Sequence, residues 1–188
     1  MNDRSSVQQE PDHSEGERMS NPTPASSPPV NTAKVANRRM LRFESINQMT
    51  AEVDRLVDAE RKGRLKQLGN WTLGQTLGHL AAWMEYGYMP APLNSPFFIR
   101  WILRLRKRKF LYEPMQAGVR IPGVKGGTLA TDPMPLDEAL TRFRRVAERV
   151  KAEPPTAPSP ALGTLRHEES IALNLRHAEL HLGFLVPE

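Results

Sequence analysis

Leu136, Ala139, Leu140, Phe143, Val146, Ala147 and Val150 recur at the spacing of one helix face, and Pro154-Pro155 stops the run. The same pattern appears three more times. From Ser45 to Leu65, Ile46, Met49, Val53, Leu56, Val57 and Leu65 repeat near helical spacing behind Ser45 as a plausible N-cap, and Gly69-Asn70 reads as a break. Trp71-Thr72-Leu73-Gly74-Gln75 opens a second helix with Thr72 as cap and Gln75 completing a capping box. Its stripe of Leu73, Leu77, Leu80 and Trp83 or Met84 should end before Pro90. A last helix is expected from His167 to Phe184, with Ile171, Leu175, Ala178 and Leu182 facing inward. No strand-type alternation of useful length occurs, so the chain is expected to be all-α: a four-helix bundle with an irregular, helix-containing insertion between the second and third core helices.

That insertion, residues 90–134, carries Pro90, Pro92, Pro96, Pro114, Pro122 and Pro133 and a glycine-rich piece, Gly123-Val124-Lys125-Gly126-Gly127. The piece matches neither the Walker nor the dinucleotide fingerprint. Within the insertion, Pro96 to Leu111 pairs Phe97, Phe98, Trp101, Ile102 and Leu105 with a basic run and is expected to form one more helix.

Residues 1–36 are rich in Ser, Pro, Asn, Thr and charge and lack an apolar face, which predicts a disordered tail that is neither a signal nor a transit peptide. Residues 37–188 are the size of one ordinary domain. The chain of 188 residues has no cysteine, which excludes disulfides, thiolate ligands, iron–sulfur clusters and a cysteine nucleophile. Any metal must be held by His, Asp or Glu. Of the formal charge of +5, the tail takes 3 basic and 5 acidic residues, leaving +7 on the domain. Most of that excess sits in Arg100, Arg104, Arg106, Lys107, Arg108 and Lys109, so no general nucleic-acid surface is indicated.

His177-Ala178-Glu179-Leu180-His181 places two imidazoles one turn apart on one helix face, where both can reach a single ion. His79, on the second expected helix, would supply a third ligand, and a three-histidine site leaves coordination positions open. His13 lies in the tail. His167 is about 15 Å from His177 along the helix axis and is expected to cap or decorate the helix start. The zinc-protease pattern requires the Glu directly after the first His; Glu179 is two residues along, rotated roughly 200° from the stripe, so that chemistry is disfavoured and a pairing with Arg176 is available instead. The competing reading makes the pair a chance spacing and His79 a satisfied core residue.

Two segments resemble the DinB-like metal-dependent helical bundle superfamily, which contains bacillithiol-type thiol transferases and the mycothiol-dependent maleylpyruvate isomerase. The first is Trp71-Thr72-Leu73-Gly74-Gln75-Thr76-Leu77-Gly78-His79-Leu80. The second runs from Pro160 through Arg166-His167-Glu168-Glu169 to Leu175-Arg176-His177-Ala178-Glu179-Leu180-His181-Leu182. The resemblance covers about residues 38–186 and is greatest to a branch of that superfamily named only as a domain of unknown function. It implies a bacterial, cytoplasmic four-helix bundle holding a divalent metal on His79, His177 and His181, and it is compatible with a homodimer. Related sequences often have Trp in place of Ser170 and a further His in place of Asn174; neither departure removes a ligand. Three neutral imidazoles suit Zn²⁺, Ni²⁺, Fe²⁺ or Mn²⁺ without choosing among them. In the thiol-transferase members the metal would stabilise a low-molecular-weight thiol as thiolate; hydrolysis by a metal-bound water is the other chemical option.

The expected function is therefore a divalent-metal-binding protein acting as a thiol-dependent transferase on a small molecule. The alternatives are a non-catalytic helical binding module with a degenerate or structural site, and a peripheral adaptor working through basic segment 97–112. That segment is too charged to span a membrane. Its apolar face is expected to cover the open end of the bundle with its cations solvated, and cations beside a metal pocket would also draw in an anionic substrate.

Overall fold

The computed structural model describes residues 29–93, 97–122 and 124–188, with only the backbone of 97–100 and 125. The expectation of a tail over residues 1–28, His13 included, and the side chains of Phe97, Phe98 and Arg100 lie outside that description. The described residues form six helices and a two-stranded sheet: α1 Ile46–Arg61, β1 Leu65–Gln67, α2 Leu73–Glu85, α3 Phe97–Leu105, α4 Lys107–Tyr112, α5 Leu136–Ala152, α6 His167–Leu182 and β2 Leu185–Pro187. None of these helices is long and apolar enough to cross a membrane.

The four longest helices pack on one another, with α2 and α5 sharing the most extensive face. Met49, Val53 and Leu56 of α1, Leu73 and Leu77 of α2, Phe143 and Val150 of α5, and Leu175 and Leu182 of α6 form one buried core. Three of these helices, α1, α2 and α6, start at side-chain hydrogen bonds. Ser45 Oγ accepts from the Gln48 amide at 3.2 Å, satisfying one of the orphan donors at the start of α1. Thr72 and Gln75 exchange reciprocal bonds of 3.1 Å, the expected capping box of α2. The Glu169 carboxylate accepts from the Arg166 amide at 2.9 Å and from Lys107 Nζ at 2.7 Å, which secures the first turn of α6 and ties α4 to it. His167 Nε2 donates to the Val150 carbonyl at 2.8 Å, fastening the start of α6 to the end of α5, so this histidine has the structural part expected of it.

Three sequence expectations need correction. The first helix does not run to Leu65. Gly63 takes φ +66° and its amide bonds to the Glu60 carbonyl, while the Arg64 amide bonds to Ala59, closing the helix one turn earlier. Leu65 then enters a short strand that the absence of alternation had not indicated. Antiparallel pairing of Leu65 with Pro187, Lys66 with Val186 and Gln67 with Leu185 joins the end of the chain to the α1–α2 connection. Three-residue strands are too short to show a period of two. Finally, the single helix expected from Pro96 to Leu111 is two, broken at Arg106, whose φ of −98° and ψ of 13° leave the helical region. Beyond the break, Leu111 packs with Leu162 and Leu165 in a second small core that also takes in Leu103, Phe110 and Leu173. Trp101, Ile102 and Leu105 are 62%, 48% and 68% exposed, so the apolar side of this segment is only partly covered.

Residues 29–36 include a short 3-10 turn, Thr32–Lys34. Val30 and the Asn70 side chain exchange two hydrogen bonds, 2.6 and 2.9 Å long, which hold this stretch against the residue that precedes Trp71.

Candidate metal centre

α2 is buried almost all round, and its glycines decide what reaches its histidine. A Cβ at Gly74 would collide with the Met134 carbonyl oxygen, and one at Gly78 would lie 3.3 Å from Met134 Sδ. Two missing side chains one turn apart thus let the chain before α5 run directly along α2. That approach brings the Thr131 carbonyl to Gln75 Nε2 at 3.3 Å and the Leu129 carbonyl to His79 Nδ1 at 2.9 Å. A carbonyl can only accept, so Nδ1 carries the proton and the lone pair of His79 is on Nε2.

His79 Nε2 faces His177 Nε2 at 3.3 Å, and His181 Nε2 lies 3.0 Å from the same atom. The three sequence-predicted residues are thus brought together, with ligand atoms all within 4.8 Å of one another. His79 is buried, His177 and His181 partly so. Burial pushes His79 down to about 4, against the opposing effect of its backbone bonds. His177 and His181 are held well below the usual histidine range by burial and then by the neighbouring imidazoles. All three are therefore neutral at pH 7.

This geometry fits a divalent ion on the chemistry of its donors. Neutral His177 Nε2 either donates one proton or accepts with one lone pair, so it can hydrogen-bond only one of its two nitrogen neighbours, whereas a cation between the three would engage every lone pair. Nitrogens bound to one ion at about 2.1 Å stand roughly 3.0 to 3.4 Å apart for bond angles of about 90° to 110°, the spacing of the His79–His177 and His177–His181 pairs.

Two tryptophans that spacing arguments did not select enclose the imidazoles. Trp71 stacks on His181 with centroids 5.1 Å apart and lies 4.8 Å from His79; Trp83 meets His177 edge-on at 5.4 Å. A signal existed for Trp83, which is one turn beyond His79 on the same face of α2. Asn174, one turn before His177, donates its amide to the Ser170 carbonyl at 2.9 Å and lines a cavity of about 910 Å³ whose wall includes His177 and His181.

Glu179 is on the opposite side of α6 from the histidines, as its rotation requires. It pairs with Arg176 at 2.7 Å, both 7% exposed or less, and accepts from the Phe43 amide, while Arg176 donates to the Phe43 carbonyl. Burial raises the Glu179 carboxyl above its ordinary range, and the Phe43 bond and Arg42 oppose this. Glu179 is thus a clamp on the segment entering α1, with no part in the histidine cluster.

A family model described as a protein of unknown function (DUF1569) matches residues 35–188. No curated protein and no solved structure matches the chain.

Proposed function

The chain belongs to the DUF1569 family, and from that premise and the three converging imidazoles we propose a divalent-metal-binding protein that catalyses a thiol-dependent transfer. The observation that carries this is the meeting of three neutral Nε2 atoms at 3.0 and 3.3 Å beside a cavity large enough for a small molecule. We further propose that residues 37–188 are the working unit, a four-helix bundle of the DinB-like kind. The mutual packing of α1, α2, α5 and α6, with one histidine on the second and two on the last, supports this placement.

His79, His177 and His181 would hold the ion, and the Leu129 carbonyl fixes the tautomer and orientation of His79. When bound, a divalent cation would favour the thiolate form of a low-molecular-weight thiol, the form that attacks an electrophile. The chain itself supplies the rest. Trp71 and Trp83 pack against the imidazoles and position them, and the cavity would hold the second reactant beside them. In the transfer the thiol sulfur forms a bond to the electrophilic carbon, the leaving group takes the displaced electron pair, and the thiol proton passes to solvent.

The test is to mix metal-loaded protein with a panel of low-molecular-weight thiols and an electrophile such as an activated aryl halide. Consumption of the electrophile should depend on thiol and vanish in His177→Ala. Metal binding without turnover across the panel would contradict the catalytic reading and make the site that of a binding module.

A further inference from the structure

We propose that the cavity beside the imidazoles selects an apolar molecule bearing one carboxylate, or a similar single oxyanion, and that Arg120 is the residue that reads its charge. The inference rests on the three-histidine reading for the chemistry the bound anion would meet.

The cavity's charge pattern is the first observation. Among the described residues, no Asp, Glu or Lys lines it, and Arg120 is the only arginine that does. Much of the remaining wall is apolar or aromatic, with Phe110, Leu162, Leu165, Leu173 and Trp83 among its members. A cavity of this size with one convergent charged group is how sites for small molecules are usually built: the walls supply affinity and the charge fixes orientation. A lone cation in such a wall favours an anionic ligand over a neutral or cationic one. The guanidinium fork suits a carboxylate better than an ammonium would.

Arg120 is an exposed residue whose side chain lies against a glycine. Its side chain crosses Gly127, where an added Cβ would lie 2.8 Å from Arg120 Nε and 3.1 Å from its Cβ and Cγ. Gly127 has φ +91°, Gly126 has φ +80°, and the loop is closed by a 2.7 Å bond from the Ile121 amide to the Gly127 carbonyl. The glycine-rich piece that matched no nucleotide motif thus has a physical use. Gly126 and Gly127 within it give a turn with bare backbone over which the Arg120 stem can lie. Among the described residues, no carboxylate forms an ion pair with Arg120.

Isothermal titration calorimetry with phenylbutyrate, phenylbutanol and phenylbutylamine tests this on the full chain, in metal-free and metal-loaded form. These probes share an apolar body and differ in charge. The metal-free protein should bind phenylbutyrate about 10- to 100-fold more tightly than the alcohol and should bind the amine worst. Arg120→Gln should bind acid and alcohol alike, Arg120→Lys should keep most of the preference, and all three proteins should take up metal equally. Equal binding of acid and alcohol by the parent would overturn the proposal, as would a preference that survives in Arg120→Gln. If metal uptake is absent throughout while the Arg120-dependent preference remains, the metal reading fails and the anion site stands.

Discussion

Glu179→Ala is expected to destabilise the protein by about 3 to 5 kcal/mol, because it leaves the buried Arg176 guanidinium without its counter-charge. Arg176 is 3% exposed, its Nε and Nη1 have no hydrogen-bond partner among the described residues, and its remaining bond is to the Phe43 carbonyl. The same change removes the acceptor of the Phe43 amide, so the chain entering α1 keeps only the Arg176 bond of its two attachments to α6 at Phe43. The pair itself is a different matter. Replacing both residues together, Arg176→Met with Glu179→Leu, should recover most of the loss, since an apolar pair avoids the desolvation that the ions incur. Chemical denaturation of the single and double variants measures both. A loss below about 1 kcal/mol in Glu179→Ala would mean that the clamp contributes little.

Acidifying the metal-free protein should cost it stability between pH 6.5 and about 4. An unfolded histidine takes up its proton near pH 6.5, whereas His79 in the fold resists protonation until about 4. In that window the unfolded chain binds more protons, so stability falls as pH falls. For His79 alone the loss by the bottom of the window is about 3 kcal/mol. His177 and His181 are displaced in the same direction by burial, so the total should be greater. Above pH 7 none of this contribution changes. Thermal melts of chelator-treated protein at half-unit intervals of pH measure it, and metal-loaded protein should hold its Tm to lower pH because protons must displace the ion. A flat Tm from pH 7 to 4.5 in the metal-free form would contradict the burial and neutrality of the cluster.

How much of this was legible in the sequence follows from the range of each interaction. The Thr72–Gln75 box, the Ser45 cap and the apolar face of α5 are set by residues within one or two turns, and spacing along the chain exposes them. So is the His177/His181 pair. His79 was selected by residue type and resemblance, and its meeting with the pair depends on packing between α2 and α6. Glu179's exclusion from the cluster followed from helix rotation alone.

What was not legible depends on partners far apart in sequence. The carbonyl that orients His79 comes from Leu129, 50 residues on, and reaches it because Gly74 and Gly78 leave room for Met134. No pattern marks a backbone carbonyl in advance. No local pattern marks Arg120 as a cavity residue; the turn at Gly126 and Gly127 against which it lies sets its place. The break at Arg106 has no proline or glycine to announce it; packing of Leu111 on Leu162 and Leu165 accompanies it. The β1–β2 pairing joins residues more than a hundred positions apart with only three on each side.

The measurement that most directly tests the central claim is elemental analysis of protein purified without a histidine tag, alongside the His177→Ala/His181→Ala variant. The geometry predicts about one equivalent of a divalent transition metal in the parent and none in the variant. Absence of metal from the parent, persisting after reconstitution with Zn²⁺, Ni²⁺, Fe²⁺ and Mn²⁺ in turn, would contradict it and make the three histidines a neutral, packed part of the interior.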